Sequence, residues 1–339
     1  MTNPILHMEH LGAPPWKTLD PFLFCVHHDD AYPAGNPAMG PAASLAGRNI
    51  GSDFAGRDGW RMYHGDTVPG FPRHPHRGFE TITLARRGYI DHSDSLGATA
   101  RFGHGDVQWM TAGKGVVHSE MFPLVHQDRP NPTELFQIWL NLPAKRKMVP
   151  PHFTMLWSPD IPRVVQQDEA GRKTEVVVMA GALGADRAPS PPPDSWASDP
   201  RSDLAIWTIE VDAEGEWILP AAPAGVNRML YFFAGDALTL DGHPARCGVG
   251  IQVRPEQPIA VKNGPIRSEL LMLQGRPIGE PVAQYGPFVM NTRNEIRQAF
   301  ADYQRTGFGG WPWASDGPVH AREAQRFAVH ATGKKERPA

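Results

Sequence analysis

GATARFGHGDVQW, residues 97–109, returns in altered form 145 residues later as GHPARCGVGIQVR, residues 242–254. Each stretch carries Gly, then Arg four residues on, then Gly-x-Gly. Each is also preceded by a further glycine, Gly88 or Gly235, that suits a hairpin turn. Around both, short runs alternate apolar and polar residues with period two and are broken by Gly, Pro, Asp or Asn, which is the pattern of many short strands. The abundance of Gly (34) and Pro (35) agrees with that reading. A small β-barrel that has been duplicated explains the repeat, so the fold class expected is all-β.

The 339 residues exceed the usual size of one domain. The Pro- and Ser-rich stretch DRAPSPPPDSWASDP, residues 186–200, cannot hold a sheet ladder and divides the chain near its middle. The expected organisation is a first domain over 1–150, a connecting segment over 151–200, a second domain over 201–310 and a tail over 311–339. The tail's end, GKKERPA, reads as frayed. One helix is legible, in NTRNEIRQAFADYQRTGFGG, residues 291–310. Thr292 and Glu295 have capping-box spacing, Ile296, Ala299, Phe300 and Tyr303 form an apolar stripe, and Gly307 is a stop. These signals place a helix at about 292–304, packed on a barrel.

Composition narrows the function classes. Hydrophobic residues at 41% and charged residues at 20% describe a globular chain that folds. A net charge of −3 gives no overall attraction to nucleic acid or to an anionic membrane, so direct binding to either is not expected. Cys25 and Cys247 are too few for a disulfide scaffold and suit a reducing compartment. The first twenty residues lack the pattern of a signal peptide, and the apolar run EVVVMAGALGA is too short and Gly-broken to span a bilayer. A cytoplasmic protein is the expectation.

Chemistry concentrates in PRHPHRGFETITL, residues 72–84, and GKGVVHSEMF, residues 113–122. His74 and His76 are two apart, so on a strand they share a face, about 7 Å apart along the backbone. His118 and Glu120 repeat that spacing on a second run. A lone histidine on a strand is usually a structural residue, whereas two such pairs in one domain favour a shared ion. Three neutral nitrogens and one carboxylate suit a divalent first-row metal. Glu80, four residues after His76, also shares its face, and spacing does not choose between Glu80 and Glu120. A closed structural zinc site favours thiolates and short local spacing, which the long gap from His76 to His118 does not provide.

HPHRGFET followed by GDVQWMTAGKGVVHSEMF resembles the pirin family of the cupin superfamily. GPFVMNTRNEIRQAF resembles the segment that closes longer pirins, and the likeness runs from about residue 20 to 310. The resemblance implies two packed antiparallel jelly-roll barrels with a short C-terminal helix. It implies one divalent ion, usually Fe2+, in the first barrel, held by His74, His76, His118 and Glu120, with Glu80 left as a supporting acid. Thr111-Ala112-Gly113 stands where the wider superfamily has Pro-x-Gly, and this matches the pirin version. Shifting by 145 carries His118 onto Asn263 and Glu120 onto Pro265, while the offset of Gly88 and Gly235 carries His74 and His76 onto Ala221 and Pro223. The second barrel is therefore expected to hold no metal.

The same resemblance implies a reaction, in which dioxygen opens a flavonol such as quercetin with release of carbon monoxide. Glu120 would then serve as ligand and as general base. It implies an alternative as well, a redox sensor whose iron changes its binding to a transcription factor or metabolic enzyme. A small phenolic substrate with O2 is the partner in the first case and a protein in the second. Arg77, Arg86, Arg87 and Lys114 flank the motifs, and the arginines are expected to pair with Asp91 and Asp94. Among Trp60, Phe79, Trp109, Phe122, Phe136 and Trp139, two or three are expected to face a ligand and the rest to fill the core.

Overall fold

In the computed structural model, which describes residues 3–339, the repeat does the same work in each half of the chain. Strand Thr99–Gly103 lies in a six-stranded sheet and Asp106–Thr111 in a five-stranded one. Likewise His243–Arg246 lies in a four-stranded sheet and Val249–Val253 in a seven-stranded one. Each Gly-x-Gly thus marks a crossing between sheets. Gly88 and Gly235 are crossings too, and the hairpin expected at them is corrected, because the strands that they join belong to different sheets. Gly88 has φ +75°, and a Cβ there would lie 2.5 Å from the Thr133 hydroxyl, so only glycine fits that corner.

The chain forms two compact units that interleave in sequence, Met1–Cys25 with Asp160–Gly279 and Val26–Pro159 with Glu280–Ala339. This differs from the boundaries expected at 150, 200 and 310. The cause is strand pairing. Within the segment expected to connect the domains, His152–Leu156 pairs with Asp106–Thr111, while Lys173–Ala180 pairs with Ala205–Val211. At the start of the chain Ile5–His10 pairs with Val249–Val253.

In the unit that contains residues 160–279, the seven-stranded sheet runs Ile5–His10, Val249–Val253, Asn227–Ala234, Ser268–Gly275, Ala205–Val211, Lys173–Ala180, Arg163–Gln167. The four-stranded sheet runs Glu216–Leu219, Ile259–Asn263, Ala237–Leu240, His243–Arg246. Period two is clear in Ile259–Asn263, where Ile259, Val261 and Asn263 are buried and Ala260 and Lys262 are exposed. The buried faces meet in an apolar core that includes Val176, Trp207, Leu230, Phe232, Val261 and Met272. Asn263, onto which the 145-residue shift carries His118, spends its amide on structure: it donates to the carbonyls of Val211, Asp212 and Ile266 and accepts from Ser268.

The other unit carries the histidine motifs. Its five-stranded sheet runs His152–Leu156, Asp106–Thr111, Phe79–Arg87, Asn131–Asn141, Phe22–Tyr32. Its six-stranded sheet runs Lys335–Glu336, Phe327–Val329, Thr99–Gly103, Tyr89–Asp94, Val116–Met121, Gly70–His76. The helix is present as Arg293–Thr306, with the Thr292–Glu295 capping box closed and Gly307 left-handed at its end. Its stripe packs against Val117, Phe288, Met290 and Phe308, which places it with the histidine unit.

The tail is not frayed. Lys335–Glu336 pairs with Phe327–Val329, and that strand extends the sheet at Thr99–Gly103. Fully buried Arg101 grips Asp91 with two nitrogens at 2.7 Å and donates to the carbonyls of His320, Ala321 and Ala324. Val116–Met121 is buried on both faces, and its Val117 packs against Phe288, Met290 and Phe308.

Candidate metal centre

Gly70–His76 and Val116–Met121 pair antiparallel with His74 opposite His118. Directly opposed residues point to one face, and His76 follows His74 onto it by period two. One ring nitrogen from each of His74, His76 and His118 gathers within 4.8 Å of the others, the one such group among the described residues. His76 and His118 are buried and His74 is half-buried.

The second ring nitrogens orient these imidazoles. His74 Nδ1 donates to the carbonyl of Pro72 at 2.8 Å, and His76 Nδ1 faces the carbonyl of Pro287 at 3.4 Å, so each leaves Nε2 with its lone pair. In fully buried His118 both ring nitrogens lack a hydrogen-bond partner. Burial disfavours the charged rings, holding His74 down at about 4 and His76 and His118 well below the usual imidazole value. Three neutral nitrogen donors with unspent lone pairs fit a divalent first-row ion.

Glu120 stands outside the group of three. Its Oε1 is 2.9 Å from the Thr83 hydroxyl and its Oε2 accepts from Gln137 Nε2 at 2.9 Å. Burial raises its carboxyl above the ordinary range, opposed by Thr83, His92 and Gln137. Glu80 is fully buried and accepts from the Thr111 hydroxyl at 2.7 Å, and it is not part of the imidazole group.

Thr83, Gln137, Gln108 and His92 did not stand out in the sequence. Thr83 pairs in register with both Gln137 and Gln108, and His92 pairs with Glu120. The His92 ring lies 5.5 Å from that of His118. The signal that existed was the two-residue spacing of His92 and Asp94.

The arginines have other partners than Asp91 and Asp94. Arg77 pairs with Asp302 at 2.9 Å, Arg86 with Glu134, and Arg87 with Glu134 and Asp29. Register explains the correction: Arg87 lies opposite Glu134, while Asp91 lies opposite Arg101. Asp94 accepts from the backbone of Leu96 and Ala98. Lys114 is exposed. Among the aromatics, Phe79 and Trp139 stand 5.1 and 5.4 Å from the His76 ring and 4.3 Å from each other. Trp60 lies against Arg48, Phe136 against His27, and Phe122 against Phe71, while Trp109 is buried in the core.

No helix among the described residues is long and apolar enough to cross a membrane. The pirin profile matches residues 7–140 and the profile of the pirin C-terminal cupin domain matches residues 206–309. A pirin-like protein of Caulobacter vibrioides is 35% identical, over 88% of this chain and 91% of its own. Human pirin is 31% identical, over 88% of this chain and 86% of its own. The crystal structure of quercetin 2,3-dioxygenase from Acinetobacter baumannii superposes with a TM-score of 0.67 at 26% identity, covering 91% of this chain and 96% of that one.

Proposed function

Because the chain belongs to the pirin family, we propose that it is a metal-dependent dioxygenase that opens a flavonol such as quercetin with O2 and releases carbon monoxide. The observation that carries the reading is the convergence of three neutral imidazoles, His74, His76 and His118. Likeness to the Acinetobacter quercetin 2,3-dioxygenase supports the substrate class. A divalent ion held there, iron in our reading, supplies Lewis acidity and redox chemistry toward dioxygen.

Glu120 completes the ligand set in this reading and takes the proton of the flavonol 3-hydroxyl as general base. Thr83 and Gln137 hold its two oxygens, which fixes the direction from which it meets that proton. Phe79 and Trp139 offer ring faces beside His76 to a flat substrate.

Elemental analysis joined to an aerobic quercetin assay tests the proposal. One metal equivalent per chain is expected, with quercetin loss that stops on chelation and returns with Fe(II). One equivalent of iron without turnover overturns the enzyme reading in favour of an iron-dependent regulator of a transcription factor or metabolic enzyme.

A further inference from the structure

The interior around Glu120 holds polar groups that the metal centre leaves unused. Gln108 is 1% exposed, yet neither its amide nitrogen nor its amide oxygen has a hydrogen-bond partner. His92 is fully buried, its Nδ1 has no partner, and its Nε2 stands 3.4 Å from Asp94 Oδ2. Buried amides and imidazoles are nearly always paired, because an unmade hydrogen bond in the interior costs stability.

Register sets both residues beside Glu120. Gln108 lies directly opposite Thr83, and His92 directly opposite Glu120. Such pairs share a face, with Cβ atoms about 4.5–5.5 Å apart. The 2.9 Å contact of the Thr83 hydroxyl with Glu120 joins the two sheets between them.

The two sides of that link differ. On one side strand Gly70–His76 meets Asn131–Asn141, with the His76 ring 5.4 Å from Trp139. On the other side Tyr89–Asp94 faces the sheet edge formed by Asp106–Thr111 and His152–Leu156, with the His92 ring 5.6 Å from Phe153. Gln108 and His92 therefore flank the Thr83–Glu120 link from the two sheets, Gln108 next to Thr83 on one and His92 next to Glu120 on the other.

We propose that Gln108 and His92 form a subsite that receives a hydroxyl group of the substrate. A hydroxyl is donor and acceptor in one atom; the Gln108 amide answers both roles. With Asp94 accepting from His92 Nε2, His92 Nδ1 is a further acceptor. The subsite rests on the flavonol reading and narrows it to polyhydroxylated flavonols.

Anaerobic binding of two flavonols to the metal-loaded protein tests this, with thermal melting of each variant alongside. Quercetin is compared with 3-hydroxyflavone, which keeps the 3-hydroxyl and the 4-carbonyl and lacks every other hydroxyl. The wild type is expected to prefer quercetin about ten-fold, the scale of one or two neutral hydrogen bonds. Gln108→Leu and His92→Phe should each erase most of that preference. Gln108→Leu should also raise Tm, since an unpaired buried amide gives way to an apolar side chain of similar size, whereas loss of a structural amide would lower it.

A preference kept by both variants, or equal binding of the two flavonols by the wild type, overturns the subsite. Quercetin turnover by the wild type would leave the dioxygenase reading standing in either case. A wild type that binds neither flavonol overturns the subsite together with that reading.

Discussion

The Thr83 hydroxyl lies 2.9 Å from Glu120 Oε1 and 2.6 Å from Gln137 Oε1, and Gln137 Nε2 lies 2.9 Å from Glu120 Oε2. These contacts close a ring of three hydrogen bonds, which needs three hydrogens. The hydroxyl supplies one and the amide supplies one, whichever way the amide is turned. The third contact is filled when the carboxyl itself carries a proton, the form that burial favours and that the bonds from Thr83 and Gln137 oppose.

Glu120 is therefore expected to hold a proton in the metal-free protein and to lose it when the ion binds. Calorimetry of metal binding in two buffers of different ionisation enthalpy checks this. The wild type should release more protons per bound ion than Glu120→Gln does. A raised folded-state pKa keeps the proton bound from the ordinary carboxylate range upward, so the release should shrink as pH rises through that folded value. Release of no proton by the wild type would sink the idea.

His118 is buried with two unpaired ring nitrogens, so its side chain does nothing for the fold that an apolar ring could not do. His118→Phe should abolish tight metal binding and quercetin loss while leaving the Tm of the metal-free protein unchanged or higher. His76→Ala and Glu120→Ala should likewise abolish both activities with the circular dichroism spectrum intact. Full quercetin turnover by any of the three variants counts against the ligand assignment.

The repeat and the histidine pairs were legible because both are local. Alternate residues on a strand share a face, so the pairs His74 with His76 and His118 with Glu120 stood out by spacing, which did not choose between Glu120 and Glu80. Thr83, Gln108 and Gln137 were not legible, since they become neighbours of Glu120 only through the register of separate strands. The interleaving of the two compact units was not legible for the same reason: Ile5–His10 pairs with Val249–Val253, and Phe327–Val329 with Thr99–Gly103, across most of the chain. Ion-pair partners are also non-local, which is why Arg87 meets Glu134 while the nearby Asp91 meets Arg101.

Arg101 and Asp91 are both fully buried, and Asp91 also accepts from the backbone of His320 at 2.8 Å. Arg101→Met leaves the Asp91 charge uncompensated and removes the donors to four tail carbonyls. A loss of about 3–5 kcal/mol is expected by urea unfolding, with faster hydrogen exchange over residues 318–329. Replacing both residues, Arg101→Met with Asp91→Leu, should recover part of the stability. Unchanged exchange in the tail would show that the pair does not anchor it.

Glu134 gathers His27, Arg86 and Arg87 at the end of strand Phe79–Arg87. Burial alone would raise its carboxyl, but the His27 hydrogen bond and the two guanidinium charges outweigh it and hold the pKa at about 2, against an ordinary 4.5. The depressed folded value means that the stability gained is fully present above 4.5 and is lost as pH falls toward 2. Half-exposed Arg87 is screened by solvent, which limits the effect to about 2 kcal/mol. Urea unfolding between pH 2.5 and 5, a range set by that window, should therefore show a steeper fall for the wild type than for Glu134→Gln. Equal slopes would mean that the cluster carries no linked stability, and that the arginines hold the strand end by packing alone.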